Sequence, residues 1–481
     1  MQSPREYILE ILMNTATPSY YIYTWGCQMN EEDSEQIALY MDQMGYIPAA
    51  DASHAQVVLL NTCSVRQKPE EKVYSKLGEL KELKAANPDM IIGVCGCMAQ
   101  VQSAQIKRRA PFVDLVIGTG NLAAIPAAIR SIQTLRAHDN NGNSTQSKSG
   151  KHRYNTLIET SLPPRKGAIV SDVPLRNLMR PPKLKAHVPI MYGCDKFCTF
   201  CIVPHTRGRE RSRPTEEILR EIRGLAQAGT REITLLGQTV NSYGKNLAEG
   251  RVSFARLLEM ISEIPGIRRI RFTSPYPRDF TDELIETMAR LPKVCRHVHL
   301  PIQVADDELL QRMHRGYIVA QYQVILDKLR SAMPDIAITT DIMLGFPGET
   351  EEQYQNTMKF VERTRFDAAF MFAYSIRPGT KAAEMPNQVP HKVKIERLNR
   401  LVQLQNRITL EINQSHVGEI AEVLVEGRSE RNSERYTGFT SAFKTVHFPA
   451  SENQIGKFVS VKLNEAHLTG FIGEIILENR T

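Results

Sequence analysis

The chain has 481 residues, 42% of them hydrophobic and 23% charged, with a formal net charge of +7. This length predicts two or three domains, and no apolar run approaches the roughly 20 residues of a membrane span, so a cytoplasmic protein without a membrane anchor is expected. The modest basic excess is compatible with a nucleic-acid partner but does not require one.

The first part of the chain has the pattern of a parallel α/β sheet, because short apolar runs alternate with amphipathic segments between about residues 20 and 132. The predicted strands are 20–25, 56–60, 90–94 and 113–117. Between the first two, apolar residues at i, i+3, i+4 and i+7 predict a helix that ends at Gly45. We expect a Rossmann-like parallel α/β domain over residues 18–135.

Three cysteines of this domain each follow a predicted strand: Cys27, Cys63 and Cys97. Because parallel strands place their ligands at their carboxyl ends, thiols far apart in sequence can converge there into a three-thiolate site. Cys95 lies two residues before Cys97 and is a rival ligand. Buried structural thiols are the alternative interpretation, whereas eight cysteines in short motifs disfavour a disulfide framework.

Residues 136–185 are polar and contain two proline pairs, which predicts a linker. After it, six apolar runs are each followed by a helical pattern, which indicates a partial (β/α)6 barrel over residues 186–412. The predicted strands are 188–191, 232–236, 270–273, 297–300, 336–344 and 368–372. The predicted helices are 215–227, 254–263, 282–289, 321–332, 351–364 and, after the last strand, 391–412.

Cys194, Cys198 and Cys201 form a CxxxCxxC motif just after the first strand of this barrel. Three thiolates at this spacing can hold three corners of a cubane iron–sulfur cluster and leave the fourth iron open. The motif resembles that of the radical S-adenosylmethionine (SAM) enzymes at every cysteine. A zinc knuckle is the alternative.

Further polar residues follow the other strands of the barrel, on the same face as the motif. They are Gln238, Asn241, Ser274 and Gln303. We expect them to contact the amino, carboxylate and ribose groups of SAM. For each of them a role in capping or turn formation is the alternative interpretation.

Arginines occupy every second position after the cysteine motif, from Arg207 to Arg213. They predict either an anionic substrate near the open iron or a solvated charged face. Towards the C-terminus, predicted strands 420–427, 445–448 and 458–463 with intervening glycines indicate a small β-barrel over residues 413–477. Such barrels are common RNA-binding modules, and a structural cap is the alternative.

Taken together, these motifs resemble the radical SAM methylthiotransferases, and the resemblance extends over all three regions. The motifs are those at 25–30, 61–66, 96–100, 194–201, 206–208, 234–238 and 345–350, with residues 417–473 similar to a TRAM domain. The resemblance implies two 4Fe–4S clusters, one on Cys194, Cys198 and Cys201 and an auxiliary one on Cys27, Cys63 and Cys97, which favours Cys97 over Cys95. No catalytic residue beyond these ligands is assigned, and Cys295 has no predicted role.

The tRNA-modifying branch is the best match, and it implies methylthiolation of C2 of N6-isopentenyladenosine at tRNA position 37. SAM is then both methyl donor and radical source. The implied partners are the tRNA anticodon stem-loop bearing that nucleoside, an electron donor such as flavodoxin or ferredoxin, and a sulfur source.

Two other substrates and one other class of protein compete with this hypothesis. Sister enzymes act on a ribosomal-protein aspartate or on threonylcarbamoyladenosine in tRNA, and the first of these usually has Leu-Gly-Cys-Pro where this chain has residues 25–28. A non-enzymatic iron–sulfur RNA-binding protein would leave CxxxCxxC unexplained.

Overall fold

A computed structural model describes residues 17–63, 67–140, 156–162, 183–247, 250–430 and 432–476. The chain divides into two compact units. The first is Met1–Asn177 with Val203–Arg209, and the second is Leu178–Ile202 with Glu210–Thr481. Within the described ranges, no helix has both the length and the apolar character that crossing a membrane requires.

The first unit is built on a six-stranded parallel sheet in the order β2-β1-β3-β4-β5-β6. Its strands are β1 (Ser19–Thr24), β2 (Ile47–Pro48), β3 (Val57–Thr62), β4 (Ile91–Gly96), β5 (Leu115–Ile117) and β6 (Leu157–Glu159). Its helices are α1 (Gln28–Gln43), α2 (Gln67–Ala86), α3 (Cys97–Arg109), α4 (Ile125–Asn140) and α5 (Val203–Thr206). The predicted Rossmann-like architecture is confirmed.

Helices cover both faces of this sheet, which explains why its central strands are apolar at nearly every position. Val57 and Leu59 of β3 belong to the core layer that contains α1 and α4, whereas Val58 and Leu60 belong to the layer that contains α2 and α3. The sequence analysis missed β2 and β6, since strands of two and three residues are too short for a periodic pattern. The prediction of a linker throughout 136–185 is wrong at residues 136–140, where α4 continues, and at residues 157–159, where β6 pairs with β5.

The second unit contains the predicted partial barrel, formed by two three-stranded parallel sheets in the orders β11-β10-β7 and β12-β13-β14. The strands are β7 (Lys185–Pro189), β10 (Glu232–Leu236), β11 (Arg269–Phe272), β12 (His297–His299), β13 (Ala337–Leu344) and β14 (Ala368–Ala373), with a small ribbon of β8 (Met191–Tyr192) and β9 (Arg211–Ser212). A parallel bridge from Ile270 to Val294 continues β11 towards β12.

The six helices that the sequence predicts after these strands are present, together with two short helices that were not predicted. The helices are α6 (Thr215–Gln227), α7 (Phe254–Ser262), α8 (Asp282–Arg290), α9 (Asp307–Arg312), α10 (Val319–Ala332), α11 (Glu351–Thr364), α12 (Lys381–Glu384) and α13 (His391–Ser415), of which α9 and α12 are the two that were not predicted. Along β13, Ile338, Ile342 and Leu344 are buried in the apolar core, whereas the alternate residues Thr339 and Asp341 are partly exposed. This alternation gives the barrel an apolar outer layer and a more polar interior.

The C-terminal part of the second unit is a closed five-stranded barrel in the order β15-β16-β17-β19-β18. Its strands are β15 (Ile420–Arg428), β16 (Tyr436–Phe439), β17 (Thr445–Phe448), β18 (Phe458–His467) and β19 (Gly470–Ile475). The predicted small β-barrel is confirmed, although β16 and β19 were not predicted. Its core includes Val423, Val446, Phe448, Val461 and Phe471.

Two arginines of β11 join the small barrel to the larger one. Arg269 donates to the carbonyl oxygens of Phe439 (2.7 Å) and Glu422 (2.6 Å). Arg271 donates to those of Thr440 (2.7 Å) and Ser441 (2.9 Å). Both arginines are buried, so these carbonyls satisfy donors that water cannot reach.

Candidate metal centres

The CxxxCxxC cysteines lie on the loop that follows β8. Cys194 and Cys198 are buried and Cys201 is partly exposed. Burial raises the pKa of the Cys194 thiol to about 12, and the thiols of Cys201 and Cys198 add smaller effects in the same direction. Three clustered thiols match the donor set of an iron–sulfur cluster.

Hydrogen bonds from several elements hold this loop in place. The Thr199 N–H donates to Met313 O (3.1 Å), and its hydroxyl donates to Arg312 O (2.9 Å). Lys196 Nζ lies 2.5 Å from Asp279 Oδ2 and 3.1 Å from Ser242 Oγ. The loop is therefore fixed to the ends of neighbouring βα units before any cluster binds, which favours a preorganised site.

The four predicted SAM contacts follow strands β10, β11 and β12, on the loops at their carboxyl ends. Gln238 has a buried Oε1 that lacks a hydrogen-bond partner among the described residues, so it is available to a ligand. Ser274 and Gln303 have left-handed backbone, with φ of 56° and 74°, an uncommon conformation outside glycine that often marks functional loops.

Asn241 differs from the other three because the protein already uses both ends of its side-chain amide. Its Nδ2 donates to Tyr276 O (2.9 Å), and its Oδ1 accepts from Tyr276 N–H (2.8 Å). This pairing matches the turn-forming alternative and ties the loop after β10 to the loop after β11. Contact of any of the four residues with SAM stays a prediction.

The three cysteines predicted to hold the auxiliary cluster lie at the carboxyl ends of β1, β3 and β4. Cys27 precedes α1 as its N-cap, Cys63 follows β3, and Cys97 is the first residue of α3. A Cβ on Gly26 would lie 3.0 Å from the Cys63 Cβ, so the chain beside Cys27 passes directly against Cys63. The Cys27 thiol also contributes to raising the pKa of Cys97, after the larger effect of burial. The three thiols thus share one edge of the sheet.

In the ranges that the structure describes, no three His, Cys, Asp or Glu side chains stand in a ready metal-binding geometry. The fit of both groups of three cysteines to a cluster therefore rests on donor chemistry, because thiols are the donors that iron–sulfur clusters require.

Two asparagines connect the loops that carry Cys27 and Cys63. Asn30 Nδ2 donates to Asn61 Oδ1 (3.2 Å), and Asn61 Nδ2 donates to Asn30 O (2.7 Å). Both side chains are completely buried. The sequence analysis missed this pair, because its members are 31 residues apart and nothing in the local sequence links them.

Cys95 and Cys97 have different surroundings. Cys95 belongs to the apolar layer that contains Leu115 and Ile117, and burial raises the pKa of its thiol to about 12. Cys97 lies beyond the strand, where α3 begins. This placement supports Cys97 as the ligand.

Arg207 does not face solvent. Its Nη2 lies 2.6 Å from Asp33 Oδ2 and its Nη1 lies 3.4 Å from Oδ1, and both side chains are buried. Burial raises the pKa of the Cys97 thiol, and the guanidinium of Arg207 opposes that rise. Arg213 is likewise buried, with Nη1 2.8 Å from Glu221 Oε2. The prediction that the alternate arginines form a solvated face or contact an anionic substrate is therefore wrong for these two.

Cys295 is the last of the eight cysteines in the chain. It is buried beside Arg271 and Arg269, and burial raises the pKa of its thiol. Because these arginines hold the small C-terminal barrel, Cys295 belongs to that junction.

Comparisons with known proteins agree with this organisation. The family model described as "Radical SAM superfamily" matches residues 188–361, "Uncharacterized protein family UPF0004" matches residues 19–118, and "TRAM domain" matches residues 414–476. These three ranges cover most of the larger barrel, most of the parallel sheet and the small barrel.

Curated relatives match nearly the whole chain. The tRNA-2-methylthio-N(6)-dimethylallyladenosine synthase of Carboxydothermus hydrogenoformans is 44% identical over 463 residues, which are 96% of this chain and 100% of the relative. A protein of the same name from Thermoanaerobacter sp. is 46% identical over 459 residues, which are 95% and 92% of the two chains.

Solved structures resemble this chain at low identity. The radical S-adenosylmethionine methyltransferase TsrM from Kitasatospora setae has a TM-score of 0.52 and 14% identity, over 85% of this chain and 78% of that one. The cobalamin-dependent S-adenosylmethionine radical enzyme OxsB has a TM-score of 0.50 and 15% identity, over 82% and 57%. At such identities the likeness concerns the fold alone.

Proposed function

The chain belongs to the family of the tRNA-2-methylthio-N(6)-dimethylallyladenosine synthases, and we propose that it methylthiolates C2 of N6-dimethylallyladenosine, also called N6-isopentenyladenosine, at tRNA position 37. The observation that carries this proposal is the full-length similarity to these synthases in a chain that also has two groups of three thiols. The enzyme is a radical SAM methylthiotransferase.

The radical SAM cluster is assigned to Cys194, Cys198 and Cys201, whose loop Lys196 and Thr199 hold in place. When bound, a 4Fe–4S cluster with one open iron supplies the electron that cleaves SAM to a radical able to attack an unactivated C–H bond. Gln238 offers a buried amide oxygen for a polar group of SAM. The Asn241–Tyr276 pairing fixes the loops beside it, so the ligand meets a rigid surface.

The auxiliary cluster is proposed to bind Cys27, Cys63 and Cys97. Asn30 and Asn61 hold the loops of the first two in register. Arg207 places one positive charge beside Cys97, balanced by Asp33. These three cysteines would hold the cluster, which would supply the sulfur to be transferred.

The partners follow from this chemistry. The proposed substrate is the tRNA anticodon stem-loop with the isopentenyl nucleoside, and the TRAM barrel is the proposed RNA-binding module. A low-potential one-electron donor such as flavodoxin or ferredoxin and a sulfur source complete the reaction. Burial of the isopentenyl group would contribute about 0.8 kcal/mol for each CH₂, enough to discriminate against unmodified adenosine.

The decisive experiment is turnover by the anaerobically reconstituted full chain on one tRNA prepared with and without the isopentenyl group. Mass spectrometry of the digested nucleosides measures the methylthio product. We expect product only from the isopentenylated tRNA. Equal turnover on both tRNAs would contradict the isopentenyl assignment. Threonylcarbamoyladenosine tRNA and the ribosomal protein are the controls, and turnover on either alone would move the chain to a sister family.

A further inference from the structure

Arg315 is a buried cation beside the CxxxCxxC loop. Only 6% of the residue is exposed. Its Nη1 donates to Cys198 Sγ (3.3 Å), its Nη2 to Pro301 O (3.1 Å) and its Nε to Tyr317 Oη (3.0 Å). The rings of Tyr276 and Tyr317 have centroids 5.0 and 5.4 Å from the guanidinium carbon. The side chain is thus fixed in one orientation, with one arm on a cysteine of the motif.

Arg315 differs from other buried arginines because it has no carboxylate as an ion-pair partner among the described residues. Each of four buried arginines has an oxygen of Asp or Glu within 2.9 Å: Arg207 with Asp33, Arg213 with Glu221, Arg271 with Glu232 and Arg397 with Glu349. Within the described ranges no ion pair joins Arg315 to a carboxylate, and its guanidinium contacts Tyr317, Cys198, the Pro301 carbonyl and the Tyr276 ring. Of these, the Cys198 sulfur becomes anionic on binding iron.

An isolated buried cation is costly, so a fold that retains one needs an anion nearby. The anion that the site provides is the cluster itself. Three thiolates on a 4Fe–4S core carry roughly one net negative charge in the oxidised state and two in the reduced state. A fixed positive charge therefore stabilises the reduced state more, and hydrogen bonds to cluster sulfurs act in the same direction.

We propose that Arg315 is the counter-charge of the cluster on Cys194, Cys198 and Cys201, and that its hydrogen bond to Cys198 Sγ makes this cluster easier to reduce. The proposal rests on the cluster assignment above. The step is the transfer of one electron from a low-potential donor to the cluster, and Arg315 keeps its proton throughout. Arg315 is a positioning residue, since it acts through the cluster. At Cys97, by contrast, Asp33 cancels much of the charge of Arg207.

The test is a redox titration of the full chain after anaerobic reconstitution. The electron paramagnetic resonance signal of the reduced cluster measures the extent of reduction. Substitution of Cys27, Cys63 and Cys97 by alanine in all samples leaves one cluster to titrate. Arg315→Met, Arg315→Gln and Arg315→Lys are compared with this background. Arg312→Met is the matched control, because Arg312 is a partly buried cation three residues earlier whose side chain contacts Pro347 O and the Phe346 ring. Its backbone carbonyl, which accepts from Thr199, is kept in the variant.

We expect the ratio of reduced to oxidised cluster at a fixed potential to fall at least tenfold in Arg315→Met and Arg315→Gln, a shift of about 59 mV for a one-electron couple. The reduction potential of Arg315→Lys should lie between those of the neutral variants and the background, since lysine keeps the charge but loses the planar donor geometry. The reduction potential of Arg312→Met should equal that of the background.

Iron content separates the two levels of the proposal. A background protein without iron would contradict the cluster assignment, whereas loaded Arg315 variants with unchanged potentials would overturn the role of Arg315 alone. If Arg315→Met fails to bind iron, the reduction potentials of the glutamine and lysine variants decide. A glutamine variant with the potential of the background overturns the proposal. If neither neutral variant binds iron, a lysine variant with the potential of the background overturns it.

Discussion

Arg207 and Asp33 are 174 residues apart in the chain, yet they form a buried two-point ion pair with Nη2 2.6 Å from Oδ2. Asp33 is on α1, the helix that begins directly after Cys27, and Arg207 follows α5. The pair thus fixes the helix beside one proposed ligand of the auxiliary cluster against the segment that follows α5.

Arg207→Met should destabilise the protein by about 3–5 kcal/mol, because it leaves the Asp33 carboxylate buried without a partner. The double variant Asp33→Leu with Arg207→Met should recover most of this loss, since two apolar side chains remove both charges. Thermal and urea unfolding measure the difference. Glu79→Gln, which breaks the surface pair with Lys76, is the control and should cost at most about 1 kcal/mol. A double variant as unstable as the single one would contradict the pairing.

The full chain reconstituted without oxygen should contain about eight irons, as two cubane clusters require. Alanine at Cys194, Cys198 and Cys201 should remove half of the iron and all SAM cleavage. Alanine at Cys27, Cys63 and Cys97 should remove the other half and leave SAM cleavage intact. Iron analysis and chromatography of 5′-deoxyadenosine report the two effects. Full iron content in the second variant would refute convergence of the three strand ends.

Cys97→Ala should abolish methylthio transfer, whereas Cys95→Ala should keep nearly full activity. Cys95 packs within an apolar layer of the sheet, so its replacement leaves only a small cavity worth about 1 kcal/mol. Product analysis and iron content are the measurements. Equal loss of activity in the two variants would show that Cys95 has a role in the site.

Deletion of residues 414–481 should lower the unfolding temperature of the remaining chain as well as its affinity for tRNA. The deletion removes the carbonyl acceptors of Arg269 and Arg271, which are buried against them. It also removes Lys444, whose Nζ lies 3.0 Å from Asp367 Oδ1. Calorimetry of the shortened chain tests this, with Arg428→Gln on the exposed side of the barrel as a control that keeps the junction. An unchanged unfolding temperature would mean that these contacts contribute little.

Much of the fold could be predicted because its elements are long and strongly patterned. The predicted helices 215–227 and 351–364 match α6 and α11, and Thr350 with Gln353 supplies the capping box that the second one needs. The convergence of Cys27, Cys63 and Cys97 was predictable for another reason, since parallel topology alone brings strand ends to one edge.

The features that escaped prediction depend on contacts between distant residues. Nothing in the local sequence indicates that Arg207 is buried against Asp33, because an alternating run of arginines looks solvated by itself. The asparagine pair and the short strands β2 and β6 are similar cases. The contacts of the folded sheet determine both features. Each involves too few residues to produce a periodic pattern in the sequence.

The segment Val203–Arg209 has a consequence for how this enzyme can be dissected. It belongs to the first unit, although it begins two residues after the last cysteine of the radical motif. A shortened protein with the UPF0004 region alone, or a chimera of that region with the barrel of a different enzyme, would leave Asp33 without Arg207. An exchange of domains should therefore keep the chain continuous through residue 209. A junction placed in the linker would separate the first unit from its own segment Val203–Arg209.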